Sequence, residues 1–443
     1  MTRKHVVVIG AGFSGVAAAA AIVRSKRARV TLIGRDGFGP GLAYGTKDPS
    51  HLLNVRASNM SARADKVDDF ALWLHSKTGA PPTTFATRGR YGKYTQSALK
   101  QAQRAAMFSG GLKLLRGEVV SCRAGSGWWN IELASGRSIE ANGVVLALGN
   151  QPVSTPSVFT DAGAKVLDPW DAKELQRIPK GDVLLLGAGL TMVDVALSLA
   201  ARSRTRTIYA LSRRGLTPRI HLDPPMPAPS TPLQLPQSLS QKLHEFRREV
   251  HTMAERGEPW QLAVDRLRSV TPALWRGLSP DEQSRFLRHL RVWWEVHRHR
   301  AAPEIFERAE NLQRQGKLRV LAGEVVSVSP DARRRSIEIY HRQRGSMVRH
   351  RIEVSGVVNC TGSNMDITRS DDPLIRQLLS EGLARAHSTN MGFDLDEQSR
   401  LLDARGQGQG SIYAIGPITV GAFWESTAVP EIRARAAAIA ALF

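Results

Sequence analysis

The amino-acid sequence predicts an α/β protein made of two Rossmann-like units with a helical insertion, and three observations point there. First, two glycine-rich turns, GAGFSG (Gly10 to Gly15) and GAGLTM (Gly187 to Met192), each follow an apolar run and open an Ala- or Leu-rich helix. Second, each turn is followed in the same order by GEVVS (Gly117 to Ser121, Gly323 to Ser327). A β-branched run ending in glycine comes next, GVVLALG (Gly143 to Gly149) or GVVNCTG (Gly356 to Gly362). Third, the second copy carries a long segment between Gly215 and about Gly316 without any of these signals. The expected domains are 1–150, completed by 363–443, then 151–362, with the insertion at 216–316.

The first unit opens with the strand HVVVI (His5 to Ile9). Gly10 then permits a tight turn, Gly12 lets the backbone approach a pyrophosphate, and Gly15 lets helix and strand pack closely. Phe13 and Ser14 begin the helix whose N-terminus would carry the phosphate. An acid at the end of the second strand would hold the ribose. Here RVTLI (Arg29 to Ile33) runs into Gly34-Arg35-Asp36, so Gly34 occupies the acidic position and Asp36 is the candidate substitute, with backbone and water as the alternative. The plainer alternative for the whole motif is a glycine turn that binds nothing.

The second unit opens with VLLL (Val183 to Leu186), and Gly187, Gly189, Leu190 and Thr191 repeat the turn and helix start. Met192 replaces the third glycine, which asks for a slightly wider spacing of helix and strand. After TIYAL (Thr207 to Leu211) comes Ser212-Arg213-Arg214 in place of an acid. An acid would repel a 2′-phosphate, whereas Ser and Arg bond and neutralise it, so NADPH is expected over NADH. Otherwise Arg213 and Arg214 are a solvated basic turn. Gly149, Thr361, Gly362 and Gly416, at the ends of the later β-branched runs, complete the candidate cofactor contacts.

The insertion begins with a proline-rich stretch, Thr217 to Pro236, whose seven prolines impose an extended loop. Its clearest helix starts at Ser279-Pro280-Asp281-Glu282, where Ser279 and Glu282 have capping-box spacing. Phe286, Leu290, Trp293 and His297 then fall on one face, and the helix should stop before Pro303. A helical lobe covering the cofactor cleft is expected.

Composition narrows the classes. Over 443 residues, 42% are apolar and 23% charged, as in ordinary globular proteins, and no apolar run nears the ~20 residues of a membrane span. The N-terminus passes straight into a strand without the apolar region of a signal peptide, so a cytoplasmic location is expected. Cys122 and Cys360 are far apart and form no CxxC pair, which disfavours dithiol-type flavin reductases. The net charge of +21 comes from scattered basic residues without aromatic interleaving. Nucleic acid is therefore not the expected partner; anionic cofactors and a small-molecule substrate are. No cluster has metal-ligand spacing, and no metal is expected.

These residues resemble bacterial FAD/NAD(P)-binding flavoproteins, distantly similar to class B flavin monooxygenases and amino-acid N-hydroxylases. GAGFSG, GPGLAYGT (Gly39 to Thr46), HLLNVRASNMSA (His51 to Ala62), YGKY (Tyr91 to Tyr94), GAGLTMVD (Gly187 to Asp194), LSRRG (Leu211 to Gly215), WWEVHRHR (Trp293 to Arg300) and AIGPITVGAFWESTAVPEIR (Ala414 to Arg433) carry the resemblance over nearly the whole chain. It implies FAD in the first unit and NADPH in the second. It also implies that Leu53, Asn54 and Val55 lie on a loop near the flavin. A helix beginning near Ser426 would aim its positive end at the ring. Two departures stand out: Gly416-Pro417 replaces a glycine followed by the aspartate that usually binds the ribityl chain, and FTDAGAKVLDPW (Phe159 to Trp170) lacks the histidine of the monooxygenase fingerprint.

Candidates for chemistry beyond the cofactors are few. His297 and Arg298 could bind an anionic substrate or move a proton, although a packed histidine is the plainer alternative for His297. Glu425 lies in the segment expected to border the flavin, with a helix-capping carboxylate as its plainer alternative. The reading that follows is an NADPH-dependent FAD monooxygenase acting with O₂ on a small substrate, an amine or an anion. A flavin reductase or dehydrogenase without oxygen insertion, and a non-catalytic nucleotide-binding or redox-sensing protein, remain as alternatives.

Overall fold

The computed structural model describes residues 3–107, 111–203, 205–227, 233 and 235–443. Strands β1 (Lys4–Ile9), β2 (Ala28–Gly34) and β3 (Leu112–Arg116) run parallel, and β4 (Val119–Ala124), β5 (Trp129–Leu133) and β6 (Ser138–Ala141) form a separate antiparallel sheet before β7 (Gly143–Leu146). The second unit repeats this with β8 (Val183–Leu186), β9 (Ile208–Ser212), β10 (Leu318–Asp331), β11 (Ser336–Gln343), β12 (Arg349–Val354) and β13 (Gly356–Asn359); the chain then returns as β14 (Arg400–Leu402) and β15 (Gly408–Ala414). Two six-stranded sheets result, ordered β14-β15-β7-β1-β2-β3 and β12-β11-β10-β9-β8-β13.

The parallel core strands are continuous apolar runs because both faces are covered, one by helices and the other largely by the antiparallel strands: Val6, Val7 and Val8 are buried, as are all of Val183 to Leu186. The repeat extends to fine geometry. In both copies of GEVVS the strand register shifts at the same place, between Val119 and Ser121 and between Val325 and Ser327. The one strand β10 pairs β9 in parallel through Leu318–Ala322 and β11 antiparallel from Gly323 on.

Between β9 and β10 the chain forms helices at Leu239–Glu255, Trp260–Leu267, Thr271–Arg276, Pro280–His289, Arg291–Arg298 and Pro303–Arg314. The last packs Ile305 and Ala309 into the second unit's own core with Val193 and Leu197, so it serves as that unit's crossover helix. The Leu239–Glu255 and Trp260–Leu267 helices pack on each other through Met253, Leu262 and Ala263, and Trp275, Leu278 and Trp294 share a cluster with Met391, Val420 and Trp424 of the C-terminal return.

The capping box of Ser279 and Glu282 is present, but the helix it starts does not run on through Trp293 and His297. It ends at Leu290 (φ −111°), and Arg291–Arg298 is a separate helix. The expected single face is thereby corrected: Trp293 is 43% exposed, and its neighbour Trp294 packs inward. Residues 217–227 form no helix or strand beyond a bridge from Ile220 to Ala301; 228–232 and 234 of the proline-rich stretch lie outside the described residues. Among the described residues no helix is long and apolar enough to cross a membrane.

Candidate functional site

Each unit presents the same helix start. After β1, Gly10 takes φ +101°, where an added Cβ would sit 2.2 Å from Ala147 O; after β8, Gly187 takes φ +97°, with Cys360 O 2.6 Å from such a Cβ. The peptides that follow are nearly superposable: Gly12 has φ −74°, ψ −168°, and Gly189 has φ −82°, ψ −168°. Neither N-cap side chain exists to satisfy the first turn of Phe13–Ser25 or Leu190–Arg202, and neither first turn holds an acid. Those free N–H groups at the positive end of a helix dipole are an anion site.

Around them the glycines divide by role. A Cβ on Gly15 would stand 1.8 Å from Gly10 O, so this glycine seats helix against strand; a Cβ on Gly189 would meet nothing within 4 Å. Met192, in place of a third glycine, is fully buried in the second core. Gly149 and Gly362, both at positive φ, are likewise open on the side a Cβ would take. Gly416 (φ +82°) lies against Ser14, whose Oγ would be 2.4 Å from a Cβ, and so brings the C-terminal segment onto the first helix start. Gly34 has a steric cause: a Cβ there would lie 2.6 Å from both Ala11 Cβ and Gly37 O, so no acid fits the usual ribose position. Asp36 points outward, 86% exposed and paired with Arg35 at 3.3 Å.

At the end of β9, Ser212 Oγ accepts the N–H of Gly215 (3.1 Å) and shapes the turn. Arg213 is exposed, Arg214 lies over the Trp293 ring, and neither has an acidic partner among the described residues. Thr361 donates its hydroxyl to Asn359 Oδ1 (2.6 Å). Leu53 is buried and Val55 packs beside it in the first core, while Asn54 O accepts a hydrogen bond from His221 Nε2 (2.9 Å).

The helix near Ser426 begins at Val429, with Ala428 as N-cap and no side-chain cap. Glu425 is therefore not a capping carboxylate. It accepts from Arg298 Nη2 (2.8 Å) and Trp294 Nε1 (3.2 Å), and the side chains of Glu425 and Arg298 are only 2% and 9% exposed. Just before it, Trp424 holds φ +56°, a strained value for a bulky residue. Trp275, stacked at 4.7 Å, and Phe286, edge-on at 5.2 Å, hold it there. Ser426 Oγ is buried without a partner among the described residues and lines a cleft with Gly416, Thr419 and Glu425; a neighbouring cleft is lined by Gly149, Asn150, Met365 and Pro417. His297 stands apart from this group. Its Nδ1 donates to Trp293 O (2.8 Å), and its ring meets Trp260 edge-on within the insertion.

Three groups went unread in the sequence. Burial, with the Arg300 guanidinium behind it, pushes the His221 imidazole down to about 4. A ring of hydrogen bonds joins the units: Thr46 Oγ1 to His51 Nδ1 (2.9 Å), His51 Nε2 to Ser198 Oγ (2.9 Å), Ser198 Oγ to Asp48 Oδ2 (2.6 Å), and Asp48 N back to Thr46 Oγ1 (3.2 Å). Beside it Arg88 and Asp194 pair at 3.1 Å.

Two parallel-sheet units, each with a free glycine-turn helix start, and a C-terminal return onto the first define the fold of flavoproteins with two dinucleotide-binding domains. Residues 7–151 match the family model described as FAD-NAD(P)-binding, so the first unit is an FAD/NAD(P)-binding domain. No curated protein matches the chain by sequence. Among solved structures it is similar to the reduced ornithine hydroxylase of Pseudomonas aeruginosa, at 15% identity over 100% of this chain and 98% of that one (TM-score 0.65). It is similar to the Kutzneria sp. 744 ornithine N-hydroxylase with reduced FAD, NADP⁺ and L-ornithine, at 15% identity over 100% and 99% (TM-score 0.65). It is also similar to the bacillithiol disulfide reductase of Staphylococcus aureus, at 13% identity over 100% and 98% (TM-score 0.56). The fold is theirs.

Proposed function

We propose that this chain is an FAD-dependent oxidoreductase of the cytoplasm that draws electrons from NADPH and oxygenates a small substrate, an amine or an anion. One observation carries the reading: the same uncapped helix start occurs once in each unit, and Arg213 and Arg214, without an acidic partner among the described residues, follow the strand end where the second would meet a 2′-phosphate. The residues fit both groups. The first-turn N–H groups after Gly12 would receive the FAD pyrophosphate, with Gly149, Gly416 and the unpartnered Ser426 hydroxyl lining the clefts beyond. The helix start after Gly189 would take the coenzyme pyrophosphate.

Bound FAD supplies hydride acceptance and the reaction with oxygen. The chain's own part is placement and shelter. Trp275, Phe286, Trp294 and Trp424 exclude water over the C-terminal segment, and Arg298 neutralises Glu425, so the pair orders that segment without adding net charge. The N-hydroxylase likeness supports an amine substrate. A reductase that never inserts oxygen is the second reading, supported by the missing fingerprint histidine in Phe159 to Trp170. A dithiol relay has no support, because Cys122 and Cys360 are both buried, with thiols that burial raises to about 12 for Cys122 and still higher for Cys360.

Purified protein should carry FAD, and Gly12→Val should lose it while staying folded. Under anaerobic conditions NADPH should bleach the flavin far faster than NADH, with Arg213→Ala and Arg214→Ala closing that gap. Admission of ¹⁸O₂ with amines such as ornithine, lysine or cadaverine should give labelled hydroxylated product. Flavin bleaching without oxygen incorporation across amines and anions selects the reductase; no flavin binding overturns both readings.

A further inference from the structure

The insertion's Trp293 has no role in the scheme above, yet it is one of the few large apolar side chains left exposed, at 43%. Among the described residues its ring has a partner beside the end of β9, where the proposed function places coenzyme choice. The Arg214 guanidinium carbon lies over the Trp293 ring, 5.8 Å from its centroid, within the reach of a cation–π contact. Arg214 itself follows β9 and Ser212, at the strand end where the unit would read a 2′-phosphate.

A long arginine at a strand end, with no carboxylate to hold it among the described residues, samples many rotamers and loses side-chain entropy when a ligand fixes it. An aromatic ring under the guanidinium reduces that loss, because it restrains the plane while leaving the N–H fork free to meet an anion. The Arg291–Arg298 helix is short and packed by Trp294, Val296 and Arg298, so Trp293 is offered on a fixed base.

We propose that Trp293 is a positioning residue for coenzyme selection: the insertion contributes it to the second unit, where it presents Arg214 to the 2′-phosphate of the adenosine end of NADPH. The inference rests on the NADPH reading and can fail while that reading stands. It assigns part of the coenzyme site to the lobe, so coenzyme affinity and lobe docking are coupled.

The test uses the full-length protein and direct binding of 2′,5′-ADP and 5′-AMP by calorimetry. The wild type should prefer 2′,5′-ADP strongly; equal affinity for the two overturns the NADPH reading and the inference with it. Trp293→Leu should weaken 2′,5′-ADP about two- to fivefold, the fold-change that ~0.5–1 kcal/mol of cation–π attraction gives, and leave 5′-AMP unchanged. Trp293→Phe should recover part of the loss. In an Arg214→Ala background Trp293→Leu should add nothing, whereas Arg213→Ala and Trp293→Leu should add independently. A wild type that discriminates while Trp293→Leu keeps the same 2′,5′-ADP to 5′-AMP ratio overturns the inference alone. So does a Trp293→Leu effect that persists without Arg214. Thermal melting of Trp293→Leu should match the wild type, since the side chain is half in solvent; a large drop in melting temperature would mark Trp293 as structural and overturn the proposal.

Discussion

Arg298 and Glu425 come from the insertion and from the C-terminal segment, and both side chains are out of water when they meet at 2.8 Å. Read from the sequence, Arg298 is a free clamp for an anionic substrate; in the fold its charge is already committed. Arg298→Ala should therefore behave as the loss of one half of a buried pair, costing about 3–5 kcal/mol by stranding the carboxylate. Arg298→Met with Glu425→Leu should restore most of that. Thermal melting with flavin release reads both, and a single variant that melts like the wild type would show that Glu425 finds another partner. His221 gives a second residue-scale expectation. Its Nε2 donates to Asn54 O, and Arg300, Arg56 and Arg298 all disfavour its protonation. An unfolded histidine titrates near 6.5, the folded one near 4. Between those values the unfolded chain binds the extra proton, so stability is complete above pH ~6.5 and falls as pH drops toward 4, by about 3 kcal/mol at most. His221→Gln keeps a donor for Asn54 and removes the titration. Its melting temperature should vary less with pH across that window than the wild type's, with His5 and His387, also held low by burial, contributing equally to both.

At the scale of elements, the capping box is a local device and acts locally. Ser279→Ala should cost about 1 kcal/mol, measured by denaturant midpoint. Glu282→Ala should cost more, because Glu282 also accepts the N–H of Leu239 (2.8 Å) and so ties two helices of the insertion together; equal costs would mean that the Leu239 bond adds nothing. The contrast between this helix start and its end explains what the sequence reveals. Ser279, Pro280 and Glu282 announce a start because capping is decided within one turn, and the glycine turns at Gly10 and Gly187 are legible because positive φ excludes other residues. The break at Leu290 leaves no such mark. Apolar spacing continues through Trp293 and His297, and only packing of Trp294 against Met365 and Trp424 decides which tryptophan turns inward. The same holds for Glu425, whose partner lies in another element altogether. Gly34 was visible as a departure from the ribose acid, but its cause, the approach of Ala11 and Gly37, is tertiary.

Across the whole molecule the two units are joined where the Leu190–Arg202 helix meets the first unit. The Leu190–Arg202 helix carries the free N-terminus at one end and Ser198 farther along, where it closes the ring through Thr46, His51 and Asp48. Burial opposes charge on Asp48, yet the bonds from Ser198 and Ser50 hold its carboxyl below the usual carboxylate range, so this carboxylate stays ionised near neutrality. On the same helix Asp194 faces Arg88, whose own N–H bonds His51 O (2.8 Å), so both contacts converge on one loop of the first unit. Such a joint fixes how one nucleotide site is presented to the other, and a misplacement of ~1 Å between reacting groups can cost 10²-fold in rate. Ser198→Ala removes the shared hydroxyl and leaves His51 Nε2 without its hydrogen bond while Asp48 keeps the bonds from Ser50, for about 1–3 kcal/mol of stability. If the joint sets the approach of the two sites, anaerobic flavin reduction by NADPH should slow by about tenfold or more, while the affinity for 2′,5′-ADP, read at the far end of the helix, changes less than twofold. Ser198→Thr, which restores the hydroxyl, should recover the rate. A Ser198→Ala protein that reduces its flavin at the wild-type rate would make the ring a fastening only, and equal losses of rate and nucleotide affinity would place its effect in the helix rather than between the units.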